Sequence, residues 1–198
     1  MPVTIDGVAT AKTTDAILRL ALPGDADAID ALMKTSIASI FPAFYDARQT
    51  ASSVIHIGSV DRMLIDDGTY FVIAEGVELI ACGGWSRRDK LYTGSGPGSA
   101  DARVLDPATE PARVRAMFVR GDRTRRGLGT LILEACESAA RAEGFRTLAL
   151  MATLPGLLLY ERYGFRETGR AEIRLPDGVT LAGASMTMVL ADIGAPTA

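Results

Sequence analysis

Residues 113–132 read RVRAMFVRGDRTRRGLGTLI, the most informative pattern in the chain. Arg113–Val119 has the composition of a β-strand, and an apolar stripe of helical period begins at Leu128. The turn between these two elements ends in Gly127 and Gly129, which leave the backbone accessible. The first N–H groups of a helix lack intrahelical partners and carry the positive end of the helix dipole, so an anion can bind there. The segment therefore predicts a cradle for a phosphate group.

Charge is distributed unevenly along the chain. The net charge is −3, yet the stretch from Arg113 to Arg126 holds six arginines against one acid, Asp122. An acidic protein with one basic cluster favours a small anionic ligand over nucleic acid. Arg125 and Arg126 are the predicted phosphate contacts, and the alternative is a solvated basic turn.

Composition excludes several classes of protein. The 198 residues are 48% hydrophobic and 23% charged, which is the balance of a globular domain. No apolar run reaches the roughly 18 residues that span a bilayer, and the N-terminus lacks the apolar core of a secretory signal. The two cysteines, Cys82 and Cys136, cannot build a disulfide scaffold and are predicted to be buried thiols. We expect a cytoplasmic protein that binds no membrane and no nucleic acid.

Motifs of several other site types are missing from the sequence. It has no GxxxxGK[ST] phosphate loop, no HExxH or His/Cys cluster for a metal, and no GxSxG nucleophile turn. His56 is the chain's single histidine, and its apolar helical neighbours favour a structural role. A third glycine for a dinucleotide fingerprint is also missing after Gly129. We therefore expect no metal.

Hydrophobic periodicity predicts alternating strands and helices in one domain over residues 15–190, with a polar arm at 1–14 and a tail at 191–198. The predicted strands are 17–22, 70–74, 79–85, 114–119, 147–152, 165–174 and 179–190. The predicted helices begin near Asp25, near Asp46 (extending to Asp66), at Leu128 (to 143) and at Pro155 (to 163). Residues 87–112 form a long predicted loop rich in glycine and proline.

Two blocks resemble the GCN5-related N-acetyltransferase (GNAT) superfamily. Residues 119–132 look like that family's acetyl-CoA pyrophosphate loop, and Leu158–Phe165 (LLYERYGF) is similar to its late Leu-Tyr-Glu-x-x-Gly-Phe motif. The predicted element order matches the family as well. The resemblance implies an α/β (α+β) fold, with a mixed, mostly antiparallel central sheet of about six to seven strands flanked by helices. It also implies acetyl-CoA as cosubstrate.

The resemblance assigns roles to individual residues. Tyr160 takes the position of the general acid. The implied cofactor-binding residues are Met117, Phe118, Val119, Arg125, Arg126, Gly127, Leu128, Gly129, Thr130, Thr153 and Gly156. The expected acceptor pocket draws on Phe41, Phe44, Tyr45, Trp85 and Arg115 together with the 87–112 loop. An arginine at 113 or 115 facing this pocket would favour a substrate that carries a carboxylate.

Three positions depart from the family pattern. Thr124 replaces a Gln or Arg before the first glycine of the loop, and Thr153 replaces an Asn that contacts pantetheine. The strand before the loop lacks the glutamate that serves many members as general base. Glu75, Glu110 and His56 remain as unranked candidates for that base.

The sequence favours an acetyl-CoA-dependent N-acetyltransferase that moves the acetyl group directly to a primary amine, on a small molecule or a peptide N-terminus. A non-catalytic acyl-CoA-binding or regulatory module on the same fold is the main alternative. A dinucleotide oxidoreductase is a third reading, weakened by the incomplete fingerprint. The long loop and the C-terminal strands could support a homodimer.

Overall fold

A seven-stranded mixed sheet organises the protein. The computed structural model describes residues 16–89 and 103–190. Every neighbouring pair of strands is antiparallel except β4 and β5, which are parallel. The predicted mixed, mostly antiparallel sheet flanked by helices is thus confirmed. The strands, in the spatial order β1-β2-β3-β4-β5-β7-β6, are β1 Ala16–Leu20, β2 Tyr70–Glu75, β3 Glu78–Ser86, β4 Ala112–Val119, β5 Thr147–Thr153, β6 Arg166–Arg174 and β7 Thr180–Val189.

Helices cover both faces of the sheet. They are α1 Ala26–Ile40, α2 Ala47–His56, α3 Arg62–Asp66, α4 Leu128–Ala142 and α5 Leu157–Tyr163. Alternation along β2 divides the core, because Val72 packs with α1 and its neighbour Ile73 packs with α4. A third apolar cluster joins the end of α1 to β6 and β7.

The single helix predicted from Asp46 to Asp66 is wrong, because the chain forms two helices there. The first helix ends at His56, and the turn that follows requires a glycine at 58, because a Cβ at that position would lie 2.4 Å from the Val54 carbonyl oxygen. Asp61 then starts the next helix by accepting the Met63 N–H at 3.3 Å. An apolar pattern of helical period continues across such a break, which is why periodicity alone missed it.

β4 and β5 pair over only two residues and then separate. Ala112 pairs with Leu148 and Arg113 with Ala149, whereas β5 stays paired with β7 as far as Thr153. β4 likewise stays paired with β3 as far as Val119. Each strand keeps its outer partner while losing the inner one, so a wedge-shaped opening forms in the middle of the sheet.

A β-bulge reshapes β4 beside this opening. The register with β3 shifts by one residue, and Ala116 takes a positive φ of 51°. The Tyr70 hydroxyl donates to the Ala116 carbonyl at 2.7 Å and fixes the bulge from β2. Opposite lies Gly83, where a Cβ would sit 2.2 Å from the Met117 sulfur. A glycine on β3 is therefore needed to make room for the bulged strand.

The two described parts of the predicted 87–112 loop pair with each other. Arg88 and Val104 form an antiparallel bridge, and the Leu105 N–H donates to the Arg87 carbonyl at 2.8 Å. These contacts continue irregular antiparallel pairing into the connection between β3 and β4. Residues 90–102 lie outside the described residues, as do the predicted arm at 1–14 and tail at 191–198.

Candidate active site

The opening between β4 and β5 leads into a cleft of about 1060 Å³. Its walls come from the second half of β4, the turn that follows, the start of α4, the end of β5, α5 and the C-terminal end of α1. The cleft thus brings together the strand, the glycine turn and the late motif that the sequence singled out.

The start of α4 leaves its N–H groups open toward the cleft. Gly127 is the N-terminal flanking residue, in the left-handed conformation at φ 78°, and no side chain caps the helix. The first helical hydrogen bond runs from the Leu131 N–H to the Gly127 carbonyl at 3.0 Å. The N–H groups of Leu128, Gly129 and Thr130 therefore have no intrahelical acceptor, and all three residues line the cleft. This arrangement suits an anion such as a phosphate.

Part of the predicted basic cluster is neutralised by a hairpin that is distant in sequence. Arg120 pairs with Glu78 at 2.5 Å, and Arg123 pairs with Glu75 at 3.0 Å. Glu75 and Glu78 flank the β2–β3 turn, more than 40 residues before the arginines. Counting charge along the sequence therefore overstated the local excess.

Arg125 and Arg126, which were predicted together as phosphate contacts, occupy different positions relative to the cleft. Arg125 lines the cleft at a positive φ of 61°, and no salt bridge joins it to any acid of the described residues. Arg126 lies 3.6 Å from Glu75 and is not part of the cleft wall. Arg125 is thus the rim arginine available to a ligand.

The backbone of β4 adds donors along one side of the opening. The Arg120 N–H points toward β3 and donates to the Ile80 carbonyl at 2.9 Å. Because backbone groups alternate between the two edges of a regular strand, the N–H group of Val119 points the other way, toward β5. The Val119 carbonyl shares that edge and accepts the Ser36 hydroxyl at 2.8 Å. The open edge can hydrogen-bond an extended amide-containing chain.

Tyr160 lies in α5 at the far side of the wedge. It is buried, its ring packs edge-on against Phe165 at 5.8 Å, and it lines the cleft. Glycine is needed at 156, because a Cβ there would lie 2.7 Å from the Tyr160 ring. Burial raises the pKa of Tyr160, with a smaller contribution from Cys136, so its hydroxyl stays protonated at neutral pH. A protonated hydroxyl in this position can donate to a leaving group.

Tyr163, one turn along α5, has a structural role. Its hydroxyl donates to Glu137 of α4 at 2.6 Å, and burial together with this bond raises its pKa. Glu137 also accepts Arg141, so the bond ties the two helices together.

Comparison with known proteins agrees with this geometry. The model of the acetyltransferase (GNAT) domain family matches residues 66–167, just over half of the chain. The chain belongs to the GNAT family. The sequence has no match among curated proteins.

Solved GNAT structures share the fold. A GCN5-related N-acetyltransferase from Rhodopseudomonas palustris is 19% identical with a TM-score of 0.67, covering 88% of this chain and 95% of its own. PaiA N-acetyltransferase from Thermoplasma acidophilum, in complex with coenzyme A, is 10% identical with a TM-score of 0.59 (88% and 98% covered). YncA from Salmonella typhimurium, with acetyl-CoA, is 19% identical with a TM-score of 0.57 (92% and 98% covered).

The residues predicted for the acceptor pocket of this GNAT protein separate into two groups. Phe41 and Phe44 line the cleft, the second with 47% of its surface exposed. Tyr45 does not, because its hydroxyl is used inside the protein, donating to the Ala182 carbonyl at 2.6 Å and accepting the Leu154 N–H at 2.9 Å. Tyr45 therefore supports the structure behind the cleft wall and does not face the substrate.

Trp85 also lies away from the cleft. It is 1% exposed and packs edge-on against Phe145, with 5.8 Å between ring centroids. Alternation along β3 directs this side chain into the core cluster that packs on α4. The prediction that Trp85 lines the acceptor pocket is therefore wrong.

Neither arginine of β4 presents an uncompensated charge to a substrate carboxylate. Arg115 lines the cleft, but its side chain is only 2% exposed and pairs with Asp61 at 3.1 Å. Burial lowers the pKa of Arg115, while Asp61 opposes that shift. Arg113 pairs with Asp89 at 2.9 Å.

None of the three predicted general bases lines the cleft. Glu75 pairs with Arg123, and His56 lies 3.6 Å from Asp177. Glu110 binds Arg103, whose guanidinium lowers the pKa of Glu110 to about 2. Among described residues that line the cleft, Glu134 on α4 is the one carboxylate.

The buried cysteines are equally unsuited to catalysis. Burial raises the pKa of Cys82 to about 12 and that of Cys136 further still. Neither thiol forms a thiolate at neutral pH, so neither is a nucleophile.

Sequence reasoning missed the apolar wall of the cleft opposite α4. These side chains come from α1, the end of α2, β5 and β6, and nothing in their local sequence links them. They are Ile40, Ile57, Met151, Ile173 and Leu175.

Within residues 16–89 and 103–190, no group of three or more His, Cys, Asp or Glu side chains could hold a metal ion. No helix in these segments is long and apolar enough to cross a membrane.

Proposed function

We propose that this protein transfers the acetyl group of acetyl-CoA to a primary amine by direct attack. One observation carries the proposal: the uncapped start of α4, the open edge of β4 and the Tyr160 hydroxyl border one continuous cleft. An anion, an extended amide chain and a leaving sulfur would be held in that order along it.

The start of α4 would bind the pyrophosphate. The N–H groups of Leu128, Gly129 and Thr130 are the donors, and Arg125 adds a positive charge at the rim. The N–H groups of Met117 and Val119 would then hold the pantetheine amides and the thioester carbonyl. When bound, acetyl-CoA supplies an activated acyl group, and these residues position it.

Tyr160 would assist the departing thiol. The amine nitrogen forms a bond to the carbonyl carbon with its lone pair, and the carbon–sulfur bond breaks with its electrons going to sulfur. Tyr160 donates its proton to that sulfur and is reprotonated by solvent, which also takes the proton lost by nitrogen. The buried cysteines and the distant His56 favour this single transfer over an acyl-enzyme.

The acceptor would lose its ammonium proton to water before it attacks. No carboxylate or histidine of the described residues lines the cleft near Tyr160 other than Glu134, whose side chain is exposed on α4. Turnover is therefore expected to rise with pH until the amine's own pKa, near 10.4 for an alkylamine.

Two measurements test the proposal. Calorimetry should show binding of acetyl-CoA, and thiol release should depend on both acetyl-CoA and an added amine. Binding without thiol release for any amine between pH 7 and 10 would favour the non-catalytic acyl-CoA-binding module. Absence of acetyl-CoA binding would refute both readings.

A further inference from the structure

The end of the cleft beyond Tyr160 and away from α4 has walls that are almost entirely apolar. We call it the apolar end. Its side chains are Ile40, Phe41, Phe44, Ile57, Ile173 and Leu175. Phe41, Ile173 and Leu175 are buried in the third core cluster, whereas Phe44 is half exposed at the rim.

Three hydroxyl groups near the apolar end already have partners in the protein. The Ser36 hydroxyl donates to the Val119 carbonyl at 2.8 Å, and Ser39 donates to the Ser36 carbonyl at 3.1 Å. The Tyr45 hydroxyl behind the wall is used by the Ala182 carbonyl and the Leu154 N–H. A substrate with several polar groups would find few bonds to replace those it makes with water.

Charged side chains on the cleft wall are concentrated at the other end. Of the described lining residues, Arg123, Arg125, Glu134 and Arg162 belong to the turn before α4, to α4 and to α5. Arg115 is the exception, and Asp61 compensates its charge. The apolar end therefore offers neither a carboxylate for a second ammonium group nor an uncompensated cation for a carboxylate.

From this charge pattern we infer that the acceptor is a small primary amine with an apolar alkyl or aryl group and no second charge. The inference rests on the proposed acetyl transfer and names its substrate class. An unpaired charge that enters an apolar site loses its hydration, and the walls described above offer no partner that offsets this loss. The apolar group, by contrast, gains affinity with each methylene buried, about fourfold per CH₂.

A panel of matched amines tests this inference through kcat/KM for thiol release with saturating acetyl-CoA. Pentylamine is compared with 1,5-diaminopentane, and 2-phenylethylamine with phenylalanine, so that each pair differs by one charged group. We expect the uncharged-tail member to be preferred at least tenfold in both pairs. We also expect kcat/KM to rise about fourfold per CH₂ from propylamine to hexylamine. Preference for the diamine or the amino acid would overturn the inference while leaving acetyl transfer intact.

Variants of the rim residue provide a second test. Phe44→Ala should lower kcat/KM for pentylamine about tenfold with acetyl-CoA affinity unchanged, and Phe44→Glu should shift preference toward 1,5-diaminopentane. Ile55→Ala is the matched control, because Ile55 is 68% exposed on α2 and outside the cleft wall. Equal effects of the Phe44 and Ile55 variants would contradict the assignment.

If the protein binds acetyl-CoA but shows no turnover, the proposed function is wrong. The binding of amines then tests the inferred substrate class separately. Calorimetry of the coenzyme A-saturated protein should show pentylamine binding at least tenfold more tightly than 1,5-diaminopentane. Equal or reversed affinities would overturn the apolar substrate class.

Discussion

Helices α2 and α4 begin in opposite ways. At α2, the Asp46 carboxylate accepts the Gln49 N–H at 2.7 Å and the Gln49 side chain accepts the Asp46 N–H at 3.0 Å, so the helix start is closed by its own residues. At α4, Gly127 provides no cap and the first N–H groups face the cleft. An uncapped helix start inside a cleft can bind an anion, as we propose for α4, whereas the capped start of α2 has N–H groups satisfied by the chain itself.

The largest effect should come from placing a carboxylate at the open start. Gly127→Asp puts a negative charge where the pyrophosphate would lie, and like charges a few ångströms apart should weaken acetyl-CoA binding about 100-fold. Gly127→Asn is the control with the same shape and no charge, and its loss should be only severalfold. Calorimetry measures both affinities.

The thermal stability of the two Gly127 variants should not follow their affinity for acetyl-CoA. An acid in the first turn interacts favourably with the helix dipole, so Gly127→Asp should unfold at a temperature no lower than Gly127→Asn. Equal acetyl-CoA affinity in the two variants would remove the distinction between α4 and α2.

A second experiment separates binding at α4 from chemistry at α5. Tyr160→Phe removes one hydroxyl and keeps the ring packed on Phe165, so turnover should fall about tenfold or more with acetyl-CoA affinity unchanged. Because burial raises the pKa of Tyr160, the wild-type rate should show no decline from this group below pH 10. Steady-state kinetics across pH measure both effects. Full turnover in the variant would make Tyr160 a packing residue.

A third experiment compares the two rim arginines. Arg125→Ala should weaken acetyl-CoA binding severalfold and reduce its salt dependence, because Arg125 faces the cleft with no acid partner among the described residues. Arg126→Ala should have the smaller effect, since that side chain lies toward Glu75. Affinity measured at two salt concentrations decides between them, and the reverse ranking would move the phosphate to the Glu75 side.

The smallest effect concerns the closed start. Asp46→Ala should lower the free energy of unfolding by about 1 kcal/mol, while Asp46→Asn keeps a capping oxygen and should lose less. Thermal denaturation measures this change. Acetyl-CoA affinity should be the same in all three proteins, and a drop in Asp46→Ala would mean that α2 contributes to the cofactor site.

Features carried by neighbouring residues could be predicted from the sequence. The strand, glycine turn and helix around Gly127 are contiguous, and so is the motif that contains Tyr160. Their physical causes are local: hydrophobic period, a glycine at positive φ and unpaired N–H groups. The predicted sheet follows from the same local signals combined with the family resemblance.

Features that depend on distant partners could not be predicted in this way. Glu75 and Glu78 neutralise arginines that a local count treats as a cluster. The bulge at Ala116 depends on Tyr70, and its only sequence signal was the glycine at 83 on the neighbouring strand. The face of β3 that receives Trp85 depends on register, which composition does not determine.

The two rungs that join β4 to β5, Ala112–Leu148 and Arg113–Ala149, have a mechanical consequence. Four strands lie on one side of this seam and three on the other, and the neighbours within each set pair over more residues than β4 and β5 do. A molecule wedged into the seam would bridge the two sets like an eighth strand. Amide hydrogen exchange along β4 and β5 should then slow on ligand addition more than anywhere else in the sheet, because the ligand stiffens the least supported joint of the fold.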